Sequence, residues 1–402
     1  MSRWETVRLG DVCEQIRGVS YKPSDLHNDL DDNSVILLRS NNIFEGTLNY
    51  DDLVYVDNSK VSNSQYLKRG DILICASSGS KNLVGKAACL EEDRKLTFGA
   101  FCKVLRTNSI NHGFFKHYFF SPRYRTIISN LSAGVNINNI RTEDLDNLEI
   151  SLPPHETQNQ IAIVLDKCTS LIAKYKKMLE RYDMLIKSRF IEMFGDPVQN
   201  PMEWEVKKLG NMCSAIMNGT TPKGGEQVYV QNGVIFLRSQ NVWRNRIDLE
   251  DVAYIDEATH KSLEKSSLKK HDILMTKTGR INTENSSLGR AAIFLGEDNS
   301  ANINGHVYLI RLYKNYNHEF VIRILTSPEY RDYIRSVCVG GIDKRQVNKD
   351  HIEDFPIIQP PIALQQQFAD FVQQIDKSKF AVQKSLEKAE TLYKSLMQEY
   401  FG

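Results

Sequence analysis

The sequence of 402 residues has no apolar run long enough to cross a membrane, since a membrane-spanning helix needs about 20 consecutive apolar residues. Its apolar runs, such as residues 35–38, have the length of a β-strand. Residues 1–4 lead directly into a polar segment, so no signal peptide is evident. We therefore expect a cytoplasmic protein that is not inserted in a membrane.

Cysteine motifs and an excess of charge are also missing. None of the seven cysteines forms a C-x-x-C pair and their number is odd, which indicates buried free thiols rather than a disulfide framework or a zinc site. The formal net charge is only +1, so the overall charge argues neither for nor against nucleic-acid binding. A DNA-binding surface would have to be a local patch, or a partner would have to neutralise much of the phosphate charge.

The familiar catalytic motifs are missing too. The sequence contains no G-x-x-x-x-G-K-[ST] phosphate loop, no G-x-G-x-x-G after a strand and no H-E-x-x-H pair. Asp and Glu are plentiful, but no carboxylate–lysine cluster of the nuclease type stands out. We expect no catalytic residue, no metal site and no cofactor in this chain.

What the sequence does contain is a long amphipathic helix pattern that occurs twice. The first copy runs from about residue 156 to residue 194, and the second from about residue 363 to residue 401. In the first copy, apolar residues recur every seven positions along three neighbouring lines. These lines are Ile161, Cys168, Tyr175 and Tyr182; Val164, Leu171, Met178 and Leu185; and Leu165, Ile172, Leu179 and Ile186. The second copy follows 207 residues later, with Phe368, Phe371, Val372, Ile375, Val382, Leu386, Ala389, Leu392 and Leu396.

The two patterns predict a pair of antiparallel coiled-coil helices, each roughly 55 Å long at the rise of an α-helix. The predicted seam is represented by Ile161, Leu171, Tyr175, Leu179, Phe368, Ile375, Val382 and Leu392. Ser378, Lys379 and Ser385 make the second copy less apolar. The alternative is two amphipathic helices that pack on a globular core, but seams this long and unbroken favour a projecting spacer.

The helices belong to a larger duplication of the chain. Residues 4–10 recur as residues 204–210, and residues 35–42 recur as residues 234–241. A period near 200 residues indicates duplicated domains rather than a solenoid, and short apolar runs between Gly, Asn and Ser clusters indicate a strand-rich core. We predict an α+β fold with two duplicated strand-rich domains separated by the two long antiparallel helices. The predicted domains are residues 1–153, 154–196, 197–360 and 361–402.

Polar residues follow the predicted strands in both copies, and many of them differ between the copies. Arg suits guanine, Asn and Gln suit adenine, and Ser, Thr and Lys suit phosphate. In the first copy we predict DNA contacts from Arg39, Asn41, Asn42, Ser77, Ser78, Lys81, Asn136, Asn138, Asn139 and Arg141. In the second copy the predicted contacts are Arg238, Gln240, Asn241, Lys277, Thr278, Arg280, Lys344, Arg345 and Gln346. The alternative is that Asn serves turns and that Arg39 and Arg238, which both copies share, form structural ion pairs.

The order of these motifs resembles the specificity subunit of a Type I restriction–modification system. The resemblance covers the whole chain. It is carried by the Trp-Glu openings at Trp4 and Trp204, the Leu-Arg-Ser-x-Asn strand end, the Asp-Ile-Leu strand and the Pro-Pro entry to each Gln-rich helix start. It implies two target-recognition domains that each read one half of a split double-stranded DNA site. It also implies two helices that hold these domains apart and dock two methyltransferase subunits.

The resemblance implies further partners and places the cofactors on them. Two restriction subunits, which combine a motor and a nuclease, can join such a complex. S-adenosylmethionine is then expected on the methyltransferase partner, and ATP and Mg on the motor-nuclease partner. The missing catalytic motifs of this chain agree with that division.

Two other classes of function remain open from the sequence. A coiled-coil scaffold that bridges protein partners without reading DNA would be indifferent to DNA in a mobility-shift assay with the partners present. An enzyme fused from duplicated domains would need a methyl-donor pocket, for which the sequence offers no motif.

Overall fold

The computed structural model divides into two compact units, each of which contains part of both long helices. The first unit comprises Met1–Met178 and Val382–Gly402, and the second comprises Leu179–Ala381. The structure describes residues 4–44, 46–80, 83–133, 139–281, 283 and 285–402.

The first unit begins with short strands and continues into a long helix. Its strands are β1 (Glu5–Arg8), β2 (Glu14–Arg17), β3 (Leu26–His27), β4 (Ser34–Leu38), β5 (Ile43–Phe44), β6 (Thr47–Leu48), β7 (Val54–Asp57), β8 (Ile72–Cys75), β9 (Ala87–Cys89), β10 (Leu96–Phe98), β11 (Cys102–Arg106) and β12 (Glu149–Leu152). Its helices are α1 (Leu9–Val12), α2 (His112–Phe120), α3 (Pro122–Ala133), α4 (Thr142–Asp146) and the first part of α5 (His155–Phe194).

Two four-stranded sheets form the centre of the first unit. One has the strand order β2-β11-β8-β9 and is antiparallel throughout. The other has the order β10-β4-β7-β3, in which β10 runs parallel to β4. Residues of β4 alternate between two hydrophobic clusters: Ile36 and Leu38 belong to one, and Val35 and Leu37 to the other. Both faces of β4 are therefore buried, which explains its unbroken apolar run.

The second unit repeats this arrangement. Its strands are β13 (Val206–Lys208), β14 (Cys213–Asn218), β15 (Tyr229–Val230), β16 (Val234–Leu237), β17 (Val242–Trp243), β18 (Arg246–Ile247), β19 (Ala253–Ile255), β20 (Ile273–Thr276), β21 (Thr278–Arg280), β22 (Ala291–Ile293), β23 (Ala301–Ile303), β24 (Val307–Leu312), β25 (Val339–Gly340), β26 (Lys344–Gln346) and β27 (Pro356–Ile358). Its helices are α6 (Glu257–Ser262), α7 (His318–Thr326), α8 (Pro328–Val337), α9 (Lys349–Glu353), the end of α5 and the start of α10 (Ile362–Phe401).

The sheets of the second unit have the same order as those of the first. One sheet is β14-β24-β20-β22, and the other is β15-β19-β16-β23 with β23 parallel to β16. A further sheet, β21-β26-β25, extends from the end of β20. The matching strand orders confirm the predicted duplicated α+β fold.

The two long helices begin in the same way. Each of α5 and α10 contains 40 residues, about 60 Å at the rise of an α-helix. Gln158 Nε2 donates to the Pro153 carbonyl at 2.9 Å, and Gln365 Nε2 donates to the Pro360 carbonyl at 2.8 Å. Both glutamines are buried. The P-P-x-x-x-Q pattern shared by both copies therefore fixes where each helix starts.

In the first unit, the start of α5 packs beside the end of α10. Ile161 of α5 shares a hydrophobic core with Met397 and Phe401 of α10. The Phe401 ring also lies 4.9 Å from the Phe114 ring of α2, measured between centroids. The long helices thus complete the core of the first unit.

In the second unit, the end of α5 packs beside the start of α10. The rings of Phe190 and Phe194 lie 5.4 and 5.7 Å from the Phe368 ring. The start of α5 thus packs beside the end of α10 in the first unit, and the end of α5 packs beside the start of α10 in the second. The two helices therefore pair antiparallel, as predicted.

Burial along α5 distinguishes the three apolar lines. Two of them form the seam, whose buried or half-buried residues are Ile161, Leu165, Cys168, Ile172, Tyr175, Leu179, Tyr182 and Ile186. These residues are alternately four and three positions apart, the spacing of a heptad seam. The third line, which includes Leu171, is exposed. Leu171 was predicted to lie in the seam, but its side chain is 41% exposed, because contact with one neighbouring helix covers only a narrow stripe.

The predicted seam of α10 also includes one residue that is exposed in the structure. Its buried or half-buried residues are Phe368, Val372, Ile375, Lys379, Val382, Leu386, Ala389 and Tyr393. Leu392, also predicted in the seam, lies one position off this stripe and is 53% exposed. Lys379 occupies a seam position, where its Nζ lies 2.5 Å from Asp183 Oδ1 of α5.

Candidate nucleic-acid interface

A buried asparagine closes the loop that follows the central strand of each unit. Asn42 accepts a hydrogen bond from the Arg39 N–H at 2.8 Å and donates to the carbonyls of Asn49 and Asp51, both at 3.0 Å. Asn241 makes the same three kinds of hydrogen bond in the second unit. Both side chains are buried. We therefore remove Asn42 and Asn241 from the predicted DNA contacts, because the fold already uses their amides.

The exposed side of the same loop carries an ion pair. Arg39 Nη2 lies 2.7 Å from Asp52 Oδ2, which also accepts a hydrogen bond from Asn41 Nδ2 at 3.0 Å. In the second unit Arg238 Nη2 lies 3.2 Å from Asp251 Oδ1, and Asp251 Oδ2 accepts a hydrogen bond from Gln240 Nε2 at 2.6 Å. Carboxylates thus hold both arginines, as the alternative interpretation stated. The two carboxylates are exposed, with 75% of the Asp52 side chain and 81% of the Asp251 side chain accessible, and ion pairs at a surface contribute only about 0–1 kcal/mol.

In the second unit, two predicted clusters that are distant in sequence lie on one small sheet. Strand β21 pairs antiparallel with β26, so that Thr278 faces Gln346 and Arg280 faces Lys344. Arg280 and Lys344 are exposed, and Arg280 Nε lies 3.2 Å from Asp343 Oδ2. The sheet therefore brings the predicted contacts of both loops together.

The first unit joins its corresponding loops through main-chain contacts. Ser77 pairs with Asn139 in an isolated antiparallel bridge, and the Ile140 N–H donates to the Ala76 carbonyl at 2.7 Å. Arg141 follows and is exposed. Ser77 and the adjacent Ser78 are half-buried. The predicted contacts Lys81, Asn136 and Asn138 lie outside the described residues.

A tight turn connects these loops to the end of the central strand. In the first unit it comprises residues 99–102, with a 2.8 Å hydrogen bond between its first and last residues. Its first N–H donates to the Leu38 carbonyl at 2.9 Å, and the Phe101 carbonyl accepts from the N–H groups of Ala76 and Ser77 at 2.9 and 3.0 Å. The turn therefore bonds to two of the polar loops at once.

The second unit contains the same turn at residues 304–307. Its first N–H donates to the Leu237 carbonyl at 3.0 Å, and the His306 carbonyl accepts from the Lys277 N–H at 2.8 Å. The Lys277 carbonyl in turn accepts from the Val347 N–H at 2.9 Å. We call this arrangement the loop junction. It comprises residues 38–42, 76–78, 99–102 and 139–141 in the first unit, and residues 237–241, 277–280, 304–307 and 344–347 in the second.

A buried arginine supports the loop junction of the second unit. Arg290 Nε donates to the Ser286 carbonyl at 2.9 Å, and the guanidinium lies 3.9 Å from the centroid of the Trp243 ring, which is cation–π distance. A Cβ at Gly279 would lie 2.3 Å from the main-chain nitrogen of Leu288. Only glycine fits there, so β21 lies directly against the segment that Arg290 holds.

Both halves of the chain match one family model. The model, described as the Type I restriction modification DNA specificity domain, matches residues 1–181 and residues 201–390. These matches include both loop junctions. The chain belongs to this DNA specificity family. It is therefore a specificity subunit of the Type I restriction–modification kind, and its class of function is DNA recognition.

Two Type I specificity subunits resemble this chain over nearly all of its length. The Type I restriction enzyme EcoKI specificity subunit of Escherichia coli K12 is 29% identical, and the alignment covers 99% of this chain and 88% of that protein. The StySPI specificity subunit of Salmonella potsdam is 28% identical, with 98% and 87% covered.

Solved structures of specificity subunits share the fold. The S subunit of the Type I restriction–modification system of M. genitalium matches with a TM-score of 0.61 at 14% identity, covering 100% of this chain and 96% of that one. A chain from a study of complex assembly and conformational transition in the Type I system matches with a TM-score of 0.52 at 16% identity, with 99% and 97% covered.

Two junction residues of this specificity subunit escaped the sequence prediction. Phe101 and His306 occupy the same place in the turn, but the flanking sequences share no motif. The hydrogen bonds also place Lys277 at the position of Ala76, since both N–H groups donate to the carbonyl of the ring-bearing turn residue. An aromatic ring in a short turn between two strands was the one available signal for Phe101.

The described part of this subunit shows neither a candidate metal site nor a reactive thiol. No group of three or more His, Cys, Asp or Glu side chains there is placed to hold a metal ion. The seven cysteines are free, and burial raises the pKa of Cys13 and of Cys213 to about 12, so both thiols stay protonated near neutral pH. Among the helices of the described ranges, none combines the length and apolar character needed to cross a membrane.

Proposed function

We propose that each unit of this specificity subunit reads one half of a bipartite DNA target through its loop junction. The observation that carries the proposal is that equivalent main-chain hydrogen bonds present different side chains in the two units. Lys277 stands in place of Ala76, and Gln346 stands in place of Asn139. A shared scaffold with different polar contacts is what two readers of different base sequences require.

The proposed contacts are exposed or half-buried side chains of the two junctions. They are Arg39, Asn41, Ser77, Ser78, Asn139 and Arg141 in the first unit, and Arg238, Gln240, Lys277, Thr278, Arg280, Lys344, Arg345 and Gln346 in the second. Lys81, Asn136 and Asn138 stay predictions from the sequence. The Nε donors of Arg39, Arg238 and Arg345 are buried and have no hydrogen-bond partner. Since an unsatisfied donor costs about 1–3 kcal/mol, rotation of these arginines towards DNA acceptors would relieve that cost.

We further propose that the paired long helices fix the distance between the two half-sites. A half-site of a few base pairs discriminates by only about 1–3 kcal/mol per base pair. Linking two readers makes the second binding event intramolecular, with an effective concentration on the order of millimolar. A helix of about 60 Å spans nearly two turns of B-DNA at about 34 Å per turn, so a centre that is not read would separate the half-sites.

The exposed third line of α5 supports a docking role for the helices. Val164 and Leu171 are exposed apolar residues on its first half, and the exposed Ile163 adjoins Val164. Ile163, Leu171, Lys167 and Lys174 line a shallow groove there. We call Ile163, Val164 and Leu171 the apolar ridge. Val164 and Leu171 have the heptad spacing of a packed line but are exposed in this chain, so we propose that the ridge docks one of two methyltransferase subunits.

The partners supply the chemistry in this proposal. The methyltransferase subunits would bind S-adenosylmethionine, and two motor-nuclease subunits that join the complex would bind ATP and Mg. This chain would add no catalytic group and no cofactor of its own. Binding to chromosomal DNA would place the complex in the cytoplasm.

A spacing experiment tests the bipartite proposal. The chain is purified with its methyltransferase subunits, and its target is mapped on random duplex DNA by modification-sensitive sequencing. Two base pairs are then inserted at the centre of the mapped target, which moves the half-sites apart by about 7 Å and rotates them by about 70°. We expect methylation to be lost. Equal methylation of the original and lengthened targets would refute a fixed spacer.

A scaffold function is the second candidate, and the apolar ridge together with the carboxylate-held arginines favours it. In that case the chain would assemble protein partners without reading DNA. A mobility-shift assay with partners present separates the two candidates, because a scaffold gives the same shift for every duplex sequence.

A further inference from the structure

The tight turn of each loop junction carries an exposed ring. Phe101 is 69% exposed, although it is apolar and lies next to the buried Cys102. In the second unit the ring is that of His306, which is also exposed. An isolated apolar side chain on a surface is ordinary, so exposure alone says little about Phe101.

The main-chain hydrogen bonds around Phe101 show where its ring lies in the loop junction. The turn bonds to the strand end that leads into Arg39, and its ring-bearing residue bonds to Ala76 and Ser77. These two residues are bonded in turn to the segment from Asn139 onwards. The ring therefore lies where the three polar loops of the junction meet. His306 has the equivalent bonds in the second unit.

We propose that Phe101 and His306 are specificity-determining residues that contact base edges, one in each half-site. Phe101 makes an apolar contact of the kind that the C5-methyl group of thymine offers. The imidazole of His306 donates or accepts a hydrogen bond at a base edge. This inference rests on the proposed function of the two units as DNA readers.

The two rings differ in chemistry, so they specify different bases. A phenyl ring cannot hydrogen-bond to a base edge and gains most beside a methyl group. An imidazole loses part of its hydration unless a polar base atom replaces it. One base pair of each half-site therefore depends on the turn residue, in addition to the pairs read by the polar loops.

The test uses the complex of this chain with its methyltransferase subunits and a duplex library with a randomised target region. Methylated sequences are recovered for the wild type and for Phe101→Ala, Phe101→His and His306→Ala. Leu30→Ala and Leu295→Ala are the matched controls, because both are exposed leucines outside the junctions, one in each unit.

We expect Phe101→Ala to lower the preference at one position of one half-site by roughly tenfold or more. The other half-site should be read as before, which also reports that the complex is folded. Phe101→His should change the preferred base at that position, and His306→Ala should relax one position of the opposite half-site. The leucine controls should keep the wild-type target.

Several results would overturn the inference. An unchanged target in Phe101→Ala and His306→Ala, a uniform loss of methylation with unchanged base preferences, or loss of both half-sites together would each exclude base reading by the turn. Failure of the proposed function looks different, because the wild-type complex itself would then select no bipartite sequence.

Discussion

A buried histidine joins the small helix α2 of the first unit to both long helices. His117 Nε2 lies 2.9 Å from Asp166 Oδ1 of α5, and its Nδ1 lies 3.4 Å from the Tyr393 hydroxyl of α10. Burial lowers the pKa of His117, and the hydrogen bond with Asp166 offsets only part of this effect. Burial alone would raise the pKa of Asp166, but hydrogen bonds from His117 and Lys116 lower it overall to about 2. A neutral imidazole that donates to an ionised carboxylate is therefore the stable form at neutral pH.

We expect the first unit to lose stability as the pH falls below about 6.5. A histidine whose pKa is lower in the folded than in the unfolded state contributes stability that is complete above the unfolded pKa. This stability is lost as the pH falls through the folded pKa. Glutamine keeps a donor towards Asp166 and does not titrate. The thermal unfolding temperature of His117→Gln should therefore fall less than that of the wild type between about pH 7.5 and about pH 5.5.

His155→Gln, at an exposed histidine of α5, is the control for the loss of a histidine, and the effect assigned to His117 is the difference between the two variants. The second unit has Arg323 at the place of His117, paired with Glu319 at 2.7 Å, and arginine does not titrate in this range. Identical pH dependence in the wild type and His117→Gln would contradict the assigned role of His117.

The adjacent Asn41 and Asn42 mark the limit of residue-level prediction. Both have the chemistry to read adenine, and both follow a strand. Only the folded loop places the Asn49 and Asp51 carbonyls around Asn42, so that its side-chain amide donates to them and not to a base. Residue type predicted which loops are polar, but not which amides the fold itself uses.

The heptad pattern predicted both long helices closely. The predicted ends near residues 156 and 194 differ little from the bounds of α5. The pattern did not reveal which lines face the partner helix, because three adjacent apolar lines allow two different seams. That choice depends on the side chains of α10, which the pattern of α5 does not contain.

A matched pair of substitutions separates the seam from the apolar ridge. Leu165 is fully buried, so Leu165→Asp places a charge in the core and should lower the free energy of unfolding by roughly 3–5 kcal/mol. Leu171→Asp, on the exposed line, should change it by less than about 1 kcal/mol but should weaken binding of the methyltransferase subunit.

Chemical denaturation measures the first effect of this pair, and co-purification with the methyltransferase subunit measures the second. Normal assembly of Leu171→Asp would exclude the apolar ridge as the docking site. A large loss of stability in the same variant would instead place Leu171 in the core.

The repeats along the sequence predicted the duplication of the chain, but not which segments make up each compact unit. Sequence repeats follow the order of the chain, and so do the predicted domain boundaries at the helix ends. Each unit instead contains part of both long helices, because antiparallel pairing brings the start of α5 to the end of α10. Contacts between segments so distant in sequence leave no local pattern to read.

Exchanging one recognition region tests whether the two units are independent readers. Residues 1–153 are replaced by the equivalent region of a related specificity subunit, and the methylated target is mapped by sequencing. We expect one half-site to change completely and the other to stay the same, because each loop junction lies within one unit. A change in both half-sites would show that the units do not read separately.

Phe401 has a consequence for how the molecule is made. Its ring fills the core around Phe114, so the first unit cannot finish folding until residues 382–402 have left the ribosome. The second unit, Leu179–Ala381, is one continuous stretch, so all of its residues are synthesised before residues 382–402. Domains generally fold in the order of their synthesis, but here the segment that completes the first unit is made last. The core of the first unit therefore lacks the Phe401 ring throughout the synthesis of the second unit.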